Sequence, residues 1–168
     1  MRQVIPLILA TAAALSPICA HSQANSEKRT TVSSSVAKLI TPILDAHQEA
    51  LEGPRPMSEE KGSPLWRSYV LTGKLLGNKS PASDEALVVL LYYYIGESTG
   101  GDQLQEIICR GNRMLPYLRK YQSFSPQIPR RHYSKDMFLE PQVVRENFKD
   151  AIDEINSGHS ASACESQQ

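Results

Sequence analysis

The stretch of residues 86–118 constrains the fold of this chain more than any other segment. Its first ten residues, 86–95, carry no charge, so a helix there could be buried on every side. The sequence GESTGG follows at 96–101 and predicts a turn. A second helix is then expected, because apolar residues recur at spacings of three and four. The segment therefore predicts a helical hairpin at the centre of the fold.

The second helix of this hairpin is expected to start at Gly101-Asp102, with Asp102 as its N-cap. A glycine inside a helix costs about 1 kcal/mol relative to alanine, so we expect Gly111 to permit close approach of the preceding helix. Pro116 should bend or interrupt the last turn. The predicted apolar stripe consists of Leu104, Ile107, Ile108, Gly111, Met114, Leu115 and Leu118.

Caps and apolar spacing predict three more helices, at 36–51, 64–76 and 141–155. Pro42 lies inside the first and predicts a kink or a later start. The hairpin itself should open with Ser80 as a cap and Pro81 in the first helical turn. The expected fold is all-α, a small bundle of four to five helices around the buried third helix. The expected buried faces are Trp66, Tyr69, Val70, Gly73 and Leu76 on the second helix, and Val143, Val144, Phe148, Ala151, Ile152 and Ile155 on the last.

The N-terminus has the layout of a secretory signal peptide. Arg2 gives a positive start, a mostly apolar run of about fifteen residues follows, and small residues offer cleavage after Ala20 or after Ala24. The run is shorter than the roughly twenty residues of a membrane-spanning helix. We therefore expect export to the periplasm or outside the cell, with removal of 1–24. Residues 25–34 should form a flexible N-terminus, 35–157 a single domain and 158–168 a mobile tail.

The charge balance argues against nucleic acid and against anionic membranes as partners. Removing Arg2 with the signal peptide leaves 17 basic and 18 acidic residues, a net charge of −1. Such a chain has no overall field to hold a polyanion. After cleavage we expect no membrane association.

The search for catalytic and metal-binding patterns predicts neither an enzyme nor a cofactor or metal site. GxSxG and HExxH are absent. His47 stands between Asp45 and Glu49, but on a helix the two carboxylates share a face from which the imidazole points away. A solvated helix face is the favoured interpretation there. GESTGG could bind an anion at a helix N-terminus, but a plain turn between helices is favoured.

Two cysteines remain after the signal peptide takes Cys19 with it. Cys109 and Cys164 are an even pair, and pairs in exported proteins are commonly bonded. A disulfide between them would close a loop of about 55 residues and stabilise the fold by about 4 kcal/mol on the chain-entropy model. The alternative is two free thiols.

Residues 122–137 are predicted to form a long exposed loop with the composition of a binding site. Arginine and tyrosine are favoured interface anchors, and Pro126 and Pro129 would stiffen the loop and lower its ordering cost. The alternative is a solvated basic loop, and 53–64 is a weaker second candidate. Of Tyr92, Tyr93 and Tyr94, at least one should be buried with its hydroxyl paired. The proposed partner-binding residues are Gln127, Arg130, Arg131, His132, Tyr133 and Lys135.

The central segment also resembles a known family. The resemblance spans roughly residues 82–121, a quarter of the chain, and it rests on three short groups. These are Tyr93-Tyr94-Ile95-Gly96-Glu97, then Leu104 with Ile107-Ile108, then Arg110-Gly111-Asn112-Arg113-Met114-Leu115-Pro116. The pattern looks like the core of the type VI secretion amidase immunity proteins.

The resemblance implies a periplasmic, all-helical, homodimeric protein of a Gram-negative bacterium. Such a protein would protect its cell from a peptidoglycan-cleaving cysteine amidase injected by a neighbour, by placing a protruding loop in the substrate cleft. No inhibitory residue is carried over from the family, so the loop 122–137 is a hypothesis from its composition. The alternative function is a periplasmic or secreted helical adaptor without a toxin partner.

Overall fold

The structure is a computed structural model that describes residues 28–53, 59–93, 96–128 and 141–158 together with Cys164, and only the backbone of 96–102. The predicted all-α class is confirmed, with one small two-stranded sheet added. Within the described ranges the elements are β1 (Arg29–Thr31), α1 (Ser34–Glu52), α2 (Pro64–Gly77), α3 (Pro81–Leu90), α4 (Gly96–Cys109), a 3-10 turn (Gly111–Met114), α5 (Leu115–Ser123), β2 (Ser125–Gln127) and α6 (Pro141–Ser157).

Serine caps fix the starts of the first three helices. The hydroxyl oxygen of Ser33 accepts from the Val36 amide at 3.3 Å, and Ser63 begins α2 in the same way. Ser80 caps α3, and Pro81 occupies its first turn, as predicted. Each hydroxyl satisfies an amide that has no partner within its helix.

Helix α3 lies at the centre of the bundle. Ala86, Leu87, Val88, Val89 and Leu90 are all completely buried, which confirms that this uncharged run can be surrounded on every side. The helix packs against α1, α2, α4 and α5. The core around it is completed mainly by apolar side chains of α1, α5 and α6.

The hairpin turn does not lie where the sequence predicted it. Helix α3 ends at Leu90, and α4 already begins at Gly96, so GESTGG forms the first turns of a helix. The chain leaves the helix early because Tyr92 is used in tertiary contacts. Its ring meets those of Tyr121 and Phe148 edge-on, at centroid distances of 6.4 and 5.5 Å. Its hydroxyl donates to the carbonyl of Tyr121.

The predicted single helix through residue 118 is also wrong, because it breaks at Gly111. This glycine has a φ of 60°, the left-handed conformation that ends many helices. A Cβ added there would meet nothing within 4 Å, so the glycine does not serve close approach by α3. The chain then forms the 3-10 turn, and Pro116 lies in the first turn of α5, where proline is well tolerated.

The predictions for α1 and α2 need two corrections. Helix α1 begins at Ser34 and continues past Pro42, so the later start is wrong. On α2 the buried face consists of Leu65, Ser68, Thr72 and Leu75. That face is rotated from the predicted one because two buried positions carry hydroxyl side chains, which hydrophobic periodicity does not detect.

Two short strands replace parts of segments that were expected to be irregular. Strand β1 lies within the predicted flexible N-terminus, and β2 lies within the predicted loop 122–137. They pair in parallel, with Thr30 opposite Pro126. On α6, Val143 is exposed, whereas the other predicted apolar positions are buried, and Gly158 ends the helix at a φ of 71° as predicted.

Candidate partner-binding surface

Of the six predicted partner-binding residues, the structure describes only Gln127. Its side chain is exposed on β2, and its carbonyl accepts from the Val32 amide at 3.2 Å. The other five, Arg130, Arg131, His132, Tyr133 and Lys135, lie outside the described residues. The described part of the candidate site therefore consists of β2, which precedes the segment 129–140, and α6, which follows it.

The first of these elements is β2. The Ser125 amide donates to the carbonyl of Lys28 at 2.9 Å, and Ser125 is buried. Since β1 runs directly into the capped start of α1, this pairing ties the start of the segment to the first helix of the bundle. A local sequence pattern gave no sign of a contact between residues almost a hundred positions apart.

The second element is α6, which packs against α5 and also contacts α4 and the 3-10 turn. The ring of Tyr92 contacts both Tyr121 on α5 and Phe148 on α6, so the two helices share one aromatic cluster. The disulfide between Cys109 and Cys164 links the chain after α6 to the end of α4. Packing and the disulfide therefore attach α6, which follows the segment 129–140, to the bundle.

Two exposed apolar side chains flank the segment 129–140 in sequence. Phe124 follows α5 directly and is 38% exposed, and Val143 in the first turn of α6 is 44% exposed. Exposed aromatic and aliphatic side chains beside polar residues are common in protein interfaces. Phe124 lies in the segment 122–137, which the sequence predicts to be exposed, whereas the prediction that Val143 faces the core is wrong.

A buried ionic cluster supports the other side of α3. Nη1 of Arg110 lies 2.5 Å from Oδ1 of Asp84, and each side chain is 3% exposed. Arg113 approaches the second carboxylate oxygen of Asp84 at 2.6 Å, and Glu106 accepts from Nε of Arg110 at 2.7 Å. The guanidinium also donates to the carbonyls of Leu76 and Asn78. The cluster therefore joins the end of α4 to the turn between α2 and α3.

A second polar group lies where α3 meets α5. One oxygen of Glu85 accepts from Nζ of Lys120 and from the hydroxyl of Tyr121, both at 2.7 Å. Burial, and then the hydrogen bond to and the charge of Glu85, raise the pKa of Tyr121. The hydroxyl therefore stays protonated and acts as a donor, which suits a structural role.

The predicted solvated face around His47 is only partly correct. Glu49 is exposed and pairs with Arg67 at 2.6 Å, whereas His47 is 1% exposed. Neither ring nitrogen of His47 has a hydrogen-bond partner, and burial lowers the pKa of this histidine. Within the described ranges, no group of three or more His, Cys, Asp or Glu side chains is placed to hold a metal ion.

The predicted disulfide is present, with Cys109 and Cys164 sulfurs 2.04 Å apart. Such a bond is compatible with an oxidising compartment. No helix in the described part of the chain is both long enough and apolar enough to cross a membrane. The first 24 residues, which include the predicted signal peptide, are outside the described residues.

Comparison of the chain with protein-family models, with curated proteins and with solved structures finds no match.

Proposed function

We propose that this chain is a periplasmic immunity protein that binds a type VI secreted peptidoglycan amidase and occludes its substrate cleft. The protein would act by binding and would carry out no catalysis. The binding residues would be those of the segment 129–140, together with Gln127. Phe124 and Val143 would extend the same surface.

One observation carries this proposal. Several residues of the family resemblance are buried or shape the backbone of the central region. Tyr93, Ile107, Ile108 and Met114 are buried. In the same motif Arg110 forms the buried ion pair and Gly111 has the left-handed backbone that ends α4. A likeness concentrated at such positions supports a shared fold rather than a chance match of composition.

The placement of the candidate segment gives further support. Both of its ends are attached to ordered elements, one through the β1–β2 pairing and the other through the α5–α6 packing. A segment held in this way has less conformational freedom to lose on binding than a free tail has. Arginine and tyrosine within it are the side chains that most often dominate binding energies.

If a gene adjacent to that of this chain encodes a secreted cysteine amidase, binding of the mature chain to that amidase tests the proposal. Replacing Arg130, Arg131 and Tyr133 together by alanine should weaken binding and restore peptidoglycan cleavage, because interface anchors commonly contribute about 2 kcal/mol or more each. The matched control replaces Arg67 and Lys149, which are exposed charges on other parts of the surface. Thermal unfolding of both variants should match that of the parent chain.

Two outcomes would contradict different parts of the proposal. If the parent chain neither binds nor inhibits the amidase, the immunity function is wrong and the adaptor without a toxin partner replaces it. If the parent binds and the triple variant binds equally well, the segment 129–140 is not the inhibitory surface.

A further inference from the structure

Strand β1 contacts the candidate site but adds no side chain to the hydrophobic core. The core cluster includes Val32 and leaves out all three residues of β1. The side chains of Arg29 and Thr31 are exposed, and that of Thr30 is only partly buried. Because burial of apolar side chains is the main source of stability, β1 should contribute little to the stability of the bundle.

The backbone of β1 holds Gln127 in place. The carbonyl of Gln127 accepts from the Val32 amide at 3.2 Å. The parallel register directs the Gln127 amide to the carbonyl of Thr30, and the Thr30 amide to the carbonyl of Ser125. Both backbone polar groups of Gln127 therefore bond to the N-terminal segment, while its side chain is exposed.

Pro126 restricts the two strands to this register. In the observed pairing Ser125 and Gln127 bond to β1, and Pro126, which has no amide hydrogen, has its backbone directed away from it. A shift by one residue would turn the proline towards β1, remove a ladder bond and move every side chain of β2 to the opposite face. The exposed side chain of Gln127 therefore has one position relative to the start of α1.

We propose that β1 is a positioning element for partner binding, which acts through β2 by fixing Gln127 and the point at which the segment 129–140 begins. This inference rests on the proposed function. A partner that recognises the paired strands binds only the fraction of molecules in which they are paired, so opening of the pair lowers the apparent affinity by that fraction. A pair of three-residue strands is marginally stable, so this fraction should respond to the loss of a single backbone bond.

Thr30→Pro tests this role. The proline removes the amide that points to the carbonyl of Ser125 and places a ring carbon in its position. If the paired fraction falls to about a tenth, the affinity for the amidase that tests the proposed function should fall about tenfold. The matched control is Thr31→Pro, which removes an amide that points away from β2 and should bind like the parent chain.

Hydrogen exchange of the Gln127 amide reports the pairing directly. The carbonyl of Thr30, which accepts from this amide, is still present in Thr30→Pro, so faster exchange means that the strands have separated. We expect exchange to be at least about tenfold faster in Thr30→Pro and unchanged in Thr31→Pro. Gly111→Ala, which strains the backbone far from β1, should lower the stability of the bundle and keep full affinity. This variant separates positioning from a general loss of stability.

Three results would overturn the positioning role and leave the proposed function intact. The first is an affinity of Thr30→Pro equal to that of the parent chain, and the second is unchanged exchange of the Gln127 amide in this variant. The third is loss of helical circular dichroism in Thr30→Pro, because β1 would then be required for the bundle itself. A parent chain that does not bind the amidase contradicts the proposed function, and the positioning role fails with it.

Discussion

Arg110 and Asp84 form an ion pair that is almost completely removed from water. Nη1 of the guanidinium is 2.5 Å from Oδ1 of the carboxylate, and the two side chains are each 3% exposed. The pair links the end of α4 to the first turn of α3, the most deeply buried helix. Removing charges from water is costly. The pair therefore matters for stability mainly because removing one partner leaves the other charge buried.

Replacing Arg110 by methionine should therefore destabilise the protein by about 3 kcal/mol, because the buried carboxylate of Asp84 would lose Arg110 and keep only its contact with the partly exposed Arg113. The carbonyls of Leu76 and Asn78 would also lose a donor. Urea denaturation followed by circular dichroism measures the change in the free energy of unfolding. The control is Arg67→Met, which breaks the exposed pair with Glu49 and should cost at most about 1 kcal/mol. Equal costs for the two variants would show that burial of the Arg110 pair has no energetic consequence.

Gly111→Ala tests the helix break that separates α4 from α5. The backbone there has a φ of 60° and open space around a Cβ, so any cost arises from the conformation alone. We expect a loss of about 1–2 kcal/mol in the free energy of unfolding. Gly73→Ala is the matched control, because Gly73 lies in open space inside α2 and alanine should stabilise the helix by up to about 1 kcal/mol. Effects of the same sign at both positions would contradict this account of Gly111.

Reduction of the disulfide should lower stability while leaving the helices in place. The bond between Cys109 and Cys164 closes a loop with a sequence separation of 55 residues. On the chain-entropy model its loss costs about 4 kcal/mol. The double variant Cys109→Ser, Cys164→Ser should unfold at lower urea concentration and should not respond to reductant. A parent chain whose unfolding midpoint is unaffected by reductant would rule out a bonded pair in solution.

His47 predicts a loss of stability in mild acid. Burial lowers the pKa of His47 in the folded state, while an unfolded histidine titrates near 6.5. Below about pH 6.5 the unfolded chain therefore binds a proton that the folded chain does not, and stability falls as the pH decreases, by at most about 1.4 kcal/mol per pH unit. Above about pH 6.5, His47 is neutral in both the folded and the unfolded chain, so it no longer contributes to the pH dependence of the free energy of unfolding.

The variant His47→Leu separates the contribution of His47 to the pH dependence of stability from the contributions of the other histidines. Its free energy of unfolding should fall less between pH 7 and pH 5 than that of the parent chain, by the contribution of one proton. The variant also removes two buried ring nitrogens that have no hydrogen-bond partner, and this removal should favour the folded state. Identical pH dependence in the two proteins would mean that His47 is accessible to protons in the folded state.

Features encoded by neighbouring residues could be predicted from the sequence. The serine caps before α1, α2 and α3 follow from hydroxyl groups placed just before an apolar repeat. Cys109 and Cys164 are the pair that remains if the predicted signal peptide is removed with Cys19. Features that depend on distant partners could not be predicted. Asp84 and Arg110 are 26 positions apart in the sequence, and the three-residue strands β1 and β2 are too short to show periodicity.

Two errors have a common physical cause. Both the early end of α3 and the rotated buried face of α2 arise where tertiary contacts outweigh local preference. Tyr92 leaves the helix to pack against Tyr121 and Phe148, and Ser68 and Thr72 are buried although their hydroxyl oxygens have no partner. For the candidate surface, composition indicates the segment 122–137 but not the strand pairing that holds its start.

The most direct test of the proposed function is inhibition, on purified peptidoglycan, of a secreted cysteine amidase encoded next to this chain. The mature chain should abolish release of cleaved muropeptides once it is present in equimolar amount, and the Arg130, Arg131, Tyr133 triple alanine variant should require a large excess. The Arg67, Lys149 variant should inhibit like the parent chain. Full amidase activity in the presence of excess folded parent protein would contradict the immunity function.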